Sequence, residues 1–190
     1  MPAAPSPHAA ADPDVAALDR RIAGRVSGRE HRFEVASVVA AAPDVVWARV
    51  STMAGVNAEL MPLVRMTYPA RFARLDPASV PLGRRAFRSW LLLFGVVPVD
   101  YDDLCLVRVD PGRGFLESST MLSQRRWVHE RTLEPVPGGC LVTDRVRFEP
   151  RVRVAGPVFR PIFRLAFRWR HYRLRRAFGT PRGADEPGAW

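Results

Sequence analysis

Between Pro157 and Phe178 the chain reads PVFRPIFRLAFRWRHYRLRRAF, with seven arginines and no acidic residue. Phe159, Ile162, Phe163, Ala166, Trp169 and Leu174 recur at intervals of three and four, the spacing of a helix with one apolar face. Gly179 and Pro181 follow as stop signals. At about 100° per residue, Arg160, Arg164, Arg168, His171 and Arg175 fall on a polar face. Arg170 and Arg173 land inside the apolar face instead. A guanidinium among apolar side chains needs a partner, because an unpaired buried charge is expensive. Either the rest of the fold or a ligand must supply it.

The remainder of the chain has to provide a surface for that helix. With 190 residues and 47% hydrophobic residues, it is long enough to bury a core as one domain. The net charge is +10 and the chain contains no lysine. Such a balance permits contact with phosphate or anionic lipid without requiring it. No helix-turn-helix pair, zinc finger or basic-aromatic motif is evident, so nucleic acid is not an expected partner. Cys105 and Cys140 lack metal-ligand spacing and are too few for a disulfide framework; both read as free core thiols. The opening MPAAPSPHAAADPDVAALD has no basic-then-apolar leader pattern, and Trp90 to Val97, the longest apolar run, is too short to span a bilayer. The cytoplasm is the expected compartment.

In chain order, residues 1–27 are rich in Ala, Pro, Asp, Arg and Gly and read as a disordered arm, with a short helical turn near Val15 to Ile22. His31 to Ala40 alternates as a strand. Pro43 and Asp44 suit the first turn of a helix carrying Val46, Trp47 and Val50. Thr52 ends it, and a second short helix covers Ala54 to Met61. Strands are expected at Val64 to Tyr68, Arg85 to Leu93, Val99 to Val109, Phe115 to Met121, Arg125 to Leu133 and Leu141 to Phe148. Turns stand at Phe94-Gly95, Asp110-Pro111-Gly112 and Pro137-Gly138-Gly139. The long helix and a flexible tail, 181–190, complete the chain. Strands in series followed by a helix imply an α+β fold with an antiparallel sheet, one face of which the helix covers.

Three stretches carry a family resemblance. The first is FEVASVVAAAPDVVWARV, residues 33–50. The second is Trp127-Val128-His129-Glu130-Arg131, a Gly-Gly turn, then Val142-Thr143-Asp144-Arg145-Val146 and Glu149-Pro150. The third is Phe167-Arg168-Trp169-Arg170-His171 with Leu174 and Phe178. In this order the stretches resemble the bacterial SRPBCC (START / Bet v 1-like, polyketide cyclase-like) superfamily over residues 28–180. The resemblance implies a helix-grip fold, a curved antiparallel sheet wrapped around the long C-terminal helix with two short helices after the first strand. It also implies a cavity between sheet and helix that holds a lipid, polyketide or other apolar molecule. The chain departs from the family at Arg131, where relatives often carry a second histidine, and at Leu122-Ser123-Gln124, where many have Gly-Pro.

The residues constrain the chemistry further. No His shares ligand spacing with a Cys or carboxylate, so neither metal nor cofactor is expected. No Gly-x-Ser-x-Gly and no phosphate-cradling loop is present. Alternation puts Trp127, His129 and Arg131 on one side of their strand and Val142, Asp144, Val146 and Phe148 on one side of theirs. Asp144 then faces inward and needs a cation, for which Arg170, Arg173 and His129 are the candidates. The cavity-lining set is Trp90, Tyr101, Trp127, His129, Asp144, Phe163, Arg170 and Arg173. Three functions compete: carriage of an apolar small molecule, polyketide cyclase or aromatase-like catalysis with His129 as base, and a protein-interaction module with a vestigial cavity. The basic helix admits peripheral contact with an anionic membrane, against a plain solvated arginine face. Fold alone does not choose among these.

Overall fold

A computed structural model of the chain describes residues 30–76 and 78–181. The expected N-terminal arm and the tail beyond Pro181 lie outside the described residues. Within them the elements run β1 (His31–Val39), α1 (Pro43–Val50), α2 (Met53–Leu60), β2 (Val64–Met66), β3 (Phe87–Leu93), β4 (Val97–Leu104), β5 (Leu106–Asp110), β6 (Gly114–Met121), β7 (Gln124–Val136), β8 (Gly139–Pro150) and α3 (Gly156–Phe178). The strands form one antiparallel sheet in the order β1-β8-β7-β6-β4-β3-β2, with β5 also paired to β6. The long helix lies against β1 and β8 and meets α2. This is the helix-grip arrangement that the sequence implies.

Local chemistry explains most boundaries. Pro43 opens α1 and Asp44 sits at its positive end. Thr52 begins α2, accepting the Gly55 N–H at 2.9 Å. Phe94 (φ 51°) and Gly95 (φ 79°) turn the chain between β3 and β4. The strand expected over Val99 to Val109 is two strands, broken at Cys105, so that β5 can pair with β6 out of line with β4. At Gly114 a side chain would collide with the Arg131 carbonyl, so glycine lets β6 and β7 close at that point.

The inner face of the sheet, under α3, is layered. Toward α1 and α2 lie two apolar clusters. One holds Met53, Phe72, Leu75, Val80, Phe87, Leu104 and Phe115; the other holds Val39, Val46, Val50, Leu133, Val142 and Leu174. Toward the N-terminal half of α3 lies an aromatic cluster of Phe33, Met121, Trp127, Phe148 and Phe167, with Leu91, Phe159 and Phe163 packed on it. Between them runs a band of buried polar residues: Ser89 on β3, Asp100 and Asp102 on β4, Glu117 and Ser119 on β6, His129 and Arg131 on β7, Asp144 on β8 and Ser37 on β1. Strand register places these residues side by side, pairing Ser89 with Asp102, Glu117 with His129 and Arg131 with Asp144. Because strand side chains alternate between faces, these polar positions share the inner face of the sheet from β1 to β3.

Candidate functional site

The half of the band beneath α3 is a closed ion-pair network. Asp144 is fully buried and receives two hydrogen bonds from Arg131, each 2.7 Å. It also contacts His129 Nε2 at 2.8 Å and His171 Nε2 at 3.0 Å. Arg131 reaches on to Glu59 at 3.0 Å, and Glu59 takes a further bond from Arg170 at 3.0 Å. Two carboxylates and two guanidiniums thus neutralise one another where water cannot. Burial by itself pushes the Asp144 carboxyl up, but the Arg131 charge, its paired hydrogen bonds and His129 outweigh that and hold it well below the usual carboxylate range. The same attraction raises Arg131 against a desolvation that would lower it.

The other half of the band, over β3, β4 and β6, has no such balance. Asp100, Asp102 and Glu117 are buried there, and no ion pair joins any of them to an arginine among the described residues. Glu117 and Ser119 lie beside Asp102. Desolvation first, and the nearby Glu117 carboxyl second, push it well above the usual range, so Asp102 favours its protonated form. Ser119 donates to Glu117 at 2.7 Å, and Glu117 lies 3.7 Å from His129 Nδ1. Ser123 donates to Asp100 and accepts from Gln124. Three polar atoms in this region have no protein partner: Ser89 Oγ, Asp102 Oδ1 and Gln124 Oε1. Buried polar atoms are nearly always hydrogen-bonded, so three orphans in one patch need an explanation.

The aromatic cluster borders this patch. Trp127 meets Phe163 edge-on at 5.1 Å, Phe163 stacks with Phe159 at 5.4 Å, and Phe167 lies 5.0 Å from the His129 ring. Leu91 and Met121 follow Ser89 and Ser119 on the inner sides of β3 and β6, and both belong to the cluster. Two grooves of about 690 Å³ and 570 Å³ lie elsewhere, and neither is lined by Ser89, Asp102 or Gln124. The larger follows the β1, β8 and β7 surface between Arg32, Glu34, Glu130 and Arg145.

A family model for a domain of unknown function, DUF8410, matches residues 37–178. The chain belongs to the DUF8410 family. No curated protein matches it. Among solved structures, a Chromobacterium violaceum protein is similar at TM-score 0.59 and 12% identity, over 78% of this chain and 97% of the other. A START superfamily protein from Mycobacterium smegmatis matches at 0.58 and 13%, over the same shares. The di-domain ARO/CYC StfQ of the steffimycin biosynthetic pathway matches at 0.56 and 14%, over 88% of this chain and 60% of that one. These likenesses bear on the fold, which is that of the START / Bet v 1-like superfamily.

Against this geometry the residues singled out in the DUF8410 sequence separate into three groups. Trp127, His129, Asp144, Phe163 and Arg170 do face the interior. Arg173 is half-buried and donates to the Ala58 carbonyl at 3.1 Å, away from the band. Trp90 and Tyr101 do not line the interior. They pair across β3 and β4 on the outer face, Trp90 is 44% exposed, and the Arg88 guanidinium lies over the Tyr101 ring at 3.9 Å. The reason is alternation: once Asp100 and Asp102 turn inward, Tyr101 must turn out.

The partner expected for Asp144 also changes. It is Arg131, with His129 and His171, and neither Arg170 nor Arg173 bonds it. His171, expected on the solvent face, is buried, and Arg175 is half-buried and donates to Ser37 at 2.6 Å. Both corrections have one cause. The sheet-facing side of α3 is Phe163, Phe167, Arg170, His171 and Leu174, rotated from the expected stripe, of which Ile162 is apolar yet exposed. The expected cavity along the helix is likewise filled, in its C-terminal half, by the ion pairs. Sequence reasoning missed Glu59, Asp102 and Glu117. Glu59 had a legible signal, as the only acid on a short apolar helix.

Proposed function

We propose that this domain binds an apolar small molecule bearing one polar end. The apolar body packs against Phe159, Phe163, Trp127, Leu91 and Met121, and the polar end meets Ser89, Asp102 and Gln124. The observation that carries this reading is the set of three buried polar atoms without protein partners beside an aromatic cluster whose Leu91, Phe159 and Phe163 are only partly buried. A mostly apolar surface with a few fixed polar groups is the usual make-up of a small-molecule site. With Asp102 protonated, the patch offers hydroxyl donors from Ser89 and Asp102 and an amide oxygen from Gln124, which suits a ligand hydroxyl, phenol or carbonyl. The START-like fold of the neighbours is compatible with this use.

Native mass spectrometry of the purified protein tests the reading, together with the emission of an apolar fluorophore such as anilinonaphthalene sulfonate during titration. A retained or titratable ligand, lost in Ser89→Ala/Gln124→Leu with the melting temperature unchanged, supports it. If the protein neither retains a molecule nor binds the fluorophore, the proposal fails.

A second reading, acid–base chemistry on the bound molecule as in a cyclase or aromatase, is favoured by one observation. Burial and the adjacent Glu117 carboxyl both push Asp102 toward its protonated form, so an acid stands at the site. In that case Asp102 is the acid and His129 is not the base, because both His129 nitrogens face protein carboxylates. If Asp102→Asn leaves ligand turnover unchanged, this second reading is lost.

A further inference from the structure

The long helix is apolar on two opposite sides. Phe163, Phe167 and Leu174 face the sheet, and Val158, Ile162 and Leu165 form a row on the far side. All three are exposed, Leu165 at 65%, and Val154 just before the helix extends the row. Scattered exposed apolar residues are ordinary, but a contiguous row of large ones marks an interaction surface. A second exposed apolar group sits at the β3–β4 turn, where Phe94, Val96, Val97 and Val99 all reach solvent, Val96 at 74%. The two groups flank the segment after α2. Trp169, one turn beyond Leu165, donates to the Met61 carbonyl at 3.1 Å, and the Phe94 N–H bonds to the Leu63 carbonyl at 2.9 Å.

The charge carried by the helix itself has a single sign. No acidic residue occurs between Glu149 and Asp185. Arg153, Arg160, Arg164 and Arg168 are exposed, and none forms an ion pair with a described residue. Such a surface is poorly suited to a second copy of itself, since a two-fold contact would set one arginine-rich helix against the other. It is well suited to a plane of negative charge with an apolar layer beneath. No described helix is long and apolar enough to cross a membrane, so the contact would be interfacial.

We infer that the outer row of α3 and the β3–β4 turn dock this domain on a bilayer containing anionic lipid. The apolar side chains enter the headgroup region, and the arginines lie on the lipid phosphates. This surface is separate from the buried site, and docking holds whether or not that site takes a ligand.

The experiment is cosedimentation of the full chain with phosphatidylcholine vesicles and with mixed phosphatidylcholine–phosphatidylglycerol vesicles at about 0.15 M salt. The protein is expected to pellet with the mixed vesicles and to stay in solution with the neutral ones. Arg164→Ala/Arg168→Ala should lower the partition coefficient roughly thirtyfold, at about a factor of five for each arginine. Ile162→Ser/Leu165→Ser should lower it roughly tenfold or more. Both variants change exposed positions and should keep the wild-type melting temperature. Absence of pelleting with anionic vesicles overturns the inference, as does binding that neither variant weakens. So does a solution dimer that Leu165→Ser dissociates while the vesicles leave the protein in the supernatant.

Discussion

The two halves of the buried polar band use the same residue types to opposite ends. Under α3, Asp144, Glu59, Arg131 and Arg170 interlock, and each charge meets its opposite within 3.0 Å. Over β3, β4 and β6, three carboxyls gather without a guanidinium, one of them favours its proton, and polar atoms go unmet. A buried charge is tolerable only when paired, and a buried dipole only when hydrogen-bonded. The first half satisfies both conditions from within and has nothing to offer a ligand. The second satisfies them only in part. Closure therefore distinguishes a structural network from a site better than burial or charge does.

The largest expected effect comes from breaking the closed half. Arg131→Met removes the guanidinium shared by Asp144 and Glu59 and leaves both carboxylates buried. Destabilisation of about 3–5 kcal/mol is expected, measurable as a lowered urea midpoint. If Arg131→Met cost less than about 1 kcal/mol, the network would not be the lock between α2, α3 and the sheet that its geometry implies.

The next effect separates the halves by pH. The folded value of Asp144 is depressed, so its stabilising contribution is fully present above the ordinary aspartate range and is lost as pH falls through the folded value. The folded value of Asp102 is raised, so its contribution is present at low pH and is lost as pH rises through the folded value. Asp102→Asn should therefore stabilise the protein at neutral and alkaline pH, and the gain should vanish on acidification. Urea midpoints across the pH range would show a wild-type curve that rises out of acid and a variant that diverges upward at the alkaline end. Coincident curves would mean that Asp102 ionises in the fold at no cost.

The smallest effect is the sharpest test of the open half. The Ser89 hydroxyl has no protein partner, so Ser89→Ala removes a desolvation penalty and no bond within the protein. Its unfolding free energy should stay within about 0.5 kcal/mol of wild type or rise slightly. A large loss would reveal a hydrogen bond that the orphan status of Ser89 excludes.

Much of this protein was legible from residue order. Periodicity located the strands and the long helix, Ala-Pro-Asp opened the first short helix, and Gly-Gly turned the last hairpin, because these features depend on neighbours a few positions apart. Alternation also put Asp144 inside correctly. The sequence alone required that a buried acid and the inward arginines of α3 find partners. Only the tertiary structure decided which. Arg131 meets Asp144 because β7 and β8 pair in a particular register, and Arg170 meets Glu59 because α2 packs where it does. The rotation of α3 was also beyond the sequence. Apolar residues on both of its sides give two readings of equal periodicity, and only the sheet it covers selects between them.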